Sequence, residues 1–131
     1  MVDYINPRSM HANPAYTQAV VIPANARTLL IGGQNAVDKD GAIVGKGDLA
    51  AQSRKAIDNL LACIEEAGGK VENLVHVTLN FKGDEDIMPG YQEWAKVWGQ
   101  RPNPPAVSAA KVLGLAHPDF LIEISGIAVL P

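Results

Sequence analysis

From Val75 to Lys82 apolar and polar side chains alternate, with Val75, Val77, Leu79 and Phe81 set against His76, Thr78, Asn80 and Lys82. A period of two sends the sets to opposite faces, which predicts a strand with one buried and one polar face. Upstream the period lengthens. Ala50, Ile57, Leu60, Leu61, Ile64 and Ala67 recur at helical spacing, while Arg54, Lys55, Asp58, Glu65 and Glu66 fall mostly on the other side. Asp48 can cap this helix, because its carboxylate accepts an orphan backbone N–H, and Gly68-Gly69 can end it in the left-handed conformation. A second helix is predicted from Asp84–Asp86, with Met88, Tyr91, Ala95 and Trp98 on one side and Pro89 in its first turn.

Shorter runs predict the remaining strands. Tyr4-Ile5-Asn6 stops at Pro7, Gln18 to Ile22 stops at Pro23, and Thr28 to Ile31 runs into Gly32-Gly33. Asp38-Lys39-Asp40-Gly41 is a turn by composition, after which Ala42-Ile43-Val44 is read as a brief extension of the sheet. Arg101 to Pro105 is extended, Ala106 to Val112 is a strand of small residues, and Phe120 to Val129 is a long last strand. The fold class is therefore α+β, with a mixed six-stranded sheet. Two helices cannot cover both faces of such a sheet, so both are expected on one face. The other face mixes His76, Thr78, Asn80, Glu123 and Ser125 with Leu121, Ile127 and Val129, a composition suited to packing against another copy.

A chain of 131 residues fits one domain, taken as 1–131, and buries roughly 65–70% of its unfolded surface. Its net charge of −3 is spread without a basic stripe, which argues against a general nucleic-acid binder. No apolar run predicts a membrane span and no leader is evident at the N-terminus, while Cys63 is the lone cysteine, so the expected location is the cytoplasm. His11, His76 and His117 lie far apart without cysteine or aspartate patterns, and no metal or cofactor is expected. Cys63 beside the apolar stripe reads as a buried structural thiol, and Trp94 and Trp98 as core or interface aromatics.

The chain resembles the RidA family, also called YjgF or L-PSP endoribonuclease-like. The resemblance rests on Pro14-Ala15-Tyr16-Thr17-Gln18, Ile31-Gly32-Gly33-Gln34, Ala50 to Leu60, Ala67-Gly68, Pro105-Ala106-Val107-Ser108 and Ile122 to Ala128, in this order. It implies a chorismate-mutase-like fold, a homotrimer, and a small-molecule cleft between adjacent subunits. It also implies hydrolysis of reactive enamines and imines to ammonia and a 2-keto acid. Carried over position by position, the water-positioning glutamate falls on Glu123, the cleft tyrosine on Tyr16 and the glycine amide on Gly33, with Gln34 beside it. The arginine that pairs with the substrate carboxylate falls on Val107, and the cysteine two places later on Ala109. Where the second helix starts, Met88-Pro89-Gly90 stands in place of the family's asparagine.

A valine cannot imitate a bidentate guanidinium–carboxylate pair. Lys111 lies on the same side as Val107 but roughly 13 Å farther along the strand, and Arg101 sits in the extended segment. The expectation is an enamine or imine substrate other than the usual 2-imino acids. The alternatives are a non-catalytic ligand-binding trimer and, third, an endoribonuclease.

Overall fold

The computed structural model describes residues 1–131. Its elements in chain order are β1 (Asp3–Ile5), β2 (Ala19–Val21), β3 (Arg27–Gln34), α1 (Leu49–Glu66), β4 (Leu74–Lys82), α2 (Met88–Trp98), β5 (Ala106–Val112) and β6 (Ile122–Leu130), with a 3-10 turn at Val71–Asn73. The fold is α+β, as the sequence predicts. The six strands do not form one sheet. They divide into a four-stranded sheet of order β3-β6-β4-β5 and a two-stranded β1-β2 ribbon. Strands of three residues carry too few ladder bonds to dictate a place in the larger sheet, and β1 and β2 satisfy each other antiparallel, Tyr4 opposite Val20.

The alternation in β4 survives intact: Val77, Leu79 and Phe81 are buried, whereas His76, Thr78 and Asn80 are half-buried. β6 pairs antiparallel with β4, Leu79 opposite Ile124 and Asn80 opposite Glu123. β5 joins parallel on the far side, Val77 opposite Val107, with α2 as the crossover that a parallel pair needs. The core gathers Ala56, Ile57, Leu60 and Ile64 of α1, Trp94 and Trp98 of α2, and the inward residues of β3, β4 and β6. Trp94 and Trp98 stack at 6.2 Å between ring centroids.

α1 begins as its sequence dictates: the Asp48 carboxylate accepts from the Ala51 N–H at 3.0 Å. It ends where Gly68 turns to φ 89° and the Gly69 N–H reaches the Ile64 carbonyl. α2 starts later than Asp84–Asp86, at Met88, because the Asp86 side chain accepts from the Met88 N–H and forms a turn ahead of the helix. Ala42-Ile43-Val44 does not extend the sheet. The segment folds back on itself through Val44 N–H to Ala36 and Asp38 N–H to Ala42, leaving one isolated bridge, Val37 to Ile43.

The helices are tied by Glu93, which is only 5% exposed. Arg54 donates to it through Nε at 3.1 Å and Nη2 at 2.9 Å, and Lys96 approaches at 3.5 Å. The Arg54 hydrogen bonds hold the Glu93 carboxyl below its ordinary value of 4.5, against the opposing effect of burial. A lowered folded pKa contributes stability that is present above 4.5 and is lost as pH falls below it. Glu93→Gln is therefore expected to melt below the unaltered protein at pH 7, with the gap narrowing at a pH well below 4.5. Thermal melts at both pH values check this, and a pH-independent gap contradicts it.

Candidate functional site

The site is built on a β-bulge. The pairing of β3 with β6 runs Ile31 opposite Gly126, then resumes with Gln34 opposite Ile124, so Gly32 and Gly33 lack ladder partners. The chain beyond is held in place by side-chain amides. Asn35 Nδ2 donates to the Ile122 carbonyl at 3.0 Å, and Asn59 of α1 donates to the carbonyls of Asn35 and Val37, each at 3.0 Å.

Glu123 crosses this bulge. A Cβ at Gly33 would lie 2.5 Å from its Cδ and 2.6 Å from its Oε1, so the carboxylate rests where only glycine leaves room. The ion pairs of the chain are Lys46–Asp119, Arg54–Glu93, Lys96–Glu93 and Arg101–Glu72, and Glu123 is in none of them. It stands half-buried on the sheet face away from the helices, beside Asn80.

The other candidates lie elsewhere. Tyr16 is half-buried, with Oη 2.8 Å from His11 Nε2, and the next residue, Thr17, bonds through its N–H to Pro105 just ahead of β5. Gln34 closes β3 and folds back to the Gly32 carbonyl at 3.2 Å. Val107 packs against the core from the helix side, since its partner is the buried Val77. Ala109 lies exposed on that same side of β5, opposite Leu79. Glu123 and Val107 are two strands and three residues apart, roughly 14 Å, and on opposite faces. One chain therefore brings together Glu123, Gly33 and Gln34, and separately Tyr16 and the start of β5, but not both groups.

Arg101 and Lys111, the two cations weighed from the sequence as stand-ins at Val107, are both engaged elsewhere. Arg101 is engaged at the end of α2 by Glu72 and the carbonyls of Val97 and Trp98. Lys111 donates to the Asp84 carbonyl at 3.2 Å. Sequence reasoning also missed Gln52, fully buried in α1, which bonds Asp119 and Leu121 ahead of β6. Its place one helical turn before Ala56 was the available signal.

With this architecture in view, the chain belongs to the RidA/YjgF family, Endoribonuclease L-PSP, whose profile matches residues 7–130. A RutC family protein of Pyrococcus horikoshii is 35% identical over 114 residues, covering 86% of this chain and 85% of the relative. The Rid-family protein YyfB of Yersinia pestis, of unknown function, is 30% identical with a TM-score of 0.85 and 98% of each chain covered. The YjgF gene product of E. coli is 31% identical with a TM-score of 0.71, covering 88% of this chain and 91% of its own. No helix is long and apolar enough to cross a membrane.

Proposed function

We propose that the chain works as a homotrimer whose inter-subunit clefts hydrolyse a small reactive enamine or imine other than the usual 2-imino acids. The observation that carries this is the Glu123 carboxylate, seated against Gly33 and committed to no cation of its own chain. Such a group can take a proton from water as the water oxygen attacks the imine carbon. Proton transfer to nitrogen and cleavage of the C–N bond then release ammonia and leave a carbonyl product, with no redox change. Tyr16 assists from the second group of candidates, and adjacent protomers are needed because one chain holds the groups apart. The bare sheet face, with Leu30 74% exposed beside Ile127, supplies an apolar surface for that contact.

Val107 makes the substrate range unusual. Freshly generated 2-iminobutyrate is expected to release ammonia weakly, whereas small imines without a free carboxylate turn over. Glu123→Gln is expected to lower that turnover by about 100-fold or more. Vigorous turnover of 2-iminobutyrate overturns the substrate range, and an unaltered rate in Glu123→Gln overturns the chemistry. A cleft that binds small imines but turns none over supports the second reading, a non-catalytic ligand-binding trimer, which the replaced arginine at Val107 favours.

A further inference from the structure

Beside Tyr16 opens a cavity of about 420 Å³, bounded by Asn6, Asn13, Thr17, Asn103 and Pro104. That volume suits a small metabolite. No charged side chain lines it, and Arg101, the nearest arginine in sequence to Asn103, is held at the end of α2.

The asparagines are oriented by their own backbone contacts. Asn6 Oδ1 accepts from the Gln18 N–H at 3.1 Å, and Asn13 Oδ1 accepts from the Ala15 N–H at 2.9 Å. Each oxygen already accepts one bond, and each NH2 group has no protein acceptor, so the NH2 donors and the oxygens' second lone pairs remain for a ligand. Asn103 adopts φ 56° and brings a further amide to the rim. The wall therefore presents neutral amides, whose donors include the Asn6 and Asn13 NH2 groups. Neutral donors bind carbonyl oxygens well, but they do not repay the desolvation of an anion as a guanidinium does.

We infer that this asparagine-lined cavity takes an uncharged carbonyl group, of the carboxamide type, from a small ligand. The inference rests on the proposed cleft only in that Tyr16 belongs to both.

The test uses a matched pair of probes, pyruvamide and pyruvate, which differ in charge at one end. Titrations of the full 15N-labelled chain follow the side-chain NH2 signals of Asn6 and Asn13 by NMR. Pyruvamide is expected to shift both and to bind at least about tenfold more tightly than pyruvate. Asn6→Asp and Asn13→Asp keep an oxygen for the Gln18 and Ala15 N–H groups but remove the NH2 donors, and each is expected to weaken pyruvamide binding by about tenfold. Equal or tighter binding of pyruvate, amide signals unmoved by either compound, or Asp variants that bind pyruvamide normally overturn the inference. The readout is binding rather than turnover, so an inactive protein that still prefers pyruvamide refutes the hydrolysis alone, and an active one that prefers pyruvate refutes this inference alone.

Discussion

Gly33→Ala is expected to cost about 100-fold or more in imine turnover while leaving the melting temperature almost unchanged. The reasoning is steric. The added methyl would sit 2.5 Å from Glu123 Cδ and 2.9 Å from Cγ, well inside contact distance. What it meets is the far part of a flexible side chain rather than backbone, so Glu123 swings aside and the bulge stays. Gly33 is not among the residues of positive φ, so alanine fits its backbone without strain. If the loss works through the carboxylate, adding Gly33→Ala to Glu123→Gln will cost little further, a strongly non-additive pair. Additive losses would show that the methyl blocks the ligand or the Gly33 amide instead. Normal turnover in Gly33→Ala would remove the carboxylate's seat from the mechanism.

This steric relation also marks where sequence reading stops. Gly33 and Glu123 were each singled out from the chain, but their contact depends on a bulge that skips two residues between Ile31 and Gln34. Local composition indicates that a glycine pair loosens a strand, not which side chain then crosses it. The helix α1 was legible because cap, stripe and terminal glycines all lie within one segment. The alternation of β4 was legible because burial of one face imposes a period of two. Strand partnership was not: β1 and β2 look like sheet strands, yet pair only with each other. Ala42-Ile43-Val44 has strand composition, but its polar backbone is satisfied within its own loop. The Tyr16 cavity brings Asn6 and Asn13 of the β1–β2 loop together with Asn103 from the segment before β5, so its neutral character emerges only after folding. The family resemblance puts an arginine position at Val107, and the structure shows the Val107 side chain packed against the core.

Gln52→Leu is expected to destabilise the fold by about 2–4 kcal/mol, which for a chain of this length lowers the melting temperature by roughly 10 °C. Gln52 is fully buried, and its amide serves both ends of a short stretch before β6: Nε2 donates to the Asp119 carbonyl at 2.8 Å and Oε1 accepts from the Leu121 N–H at 2.9 Å. Leucine fills a similar volume, so no large cavity forms. The cost comes from leaving two part-buried backbone groups without partners. The effect also reaches the site, since Leu121 stands two residues before Glu123 and its N–H fixes how the chain enters β6. Gln52 is thus a positioning residue. Its loss is expected to speed hydrogen exchange at Leu121 and lower kcat more than it raises KM, because the misplaced group is the one proposed to handle water rather than the one that holds the ligand. An unchanged melting temperature would mean that water replaces both bonds freely. A lower melting temperature with unaltered kcat would confine Gln52 to stability and detach the entry of β6 from the placement of the Glu123 carboxylate.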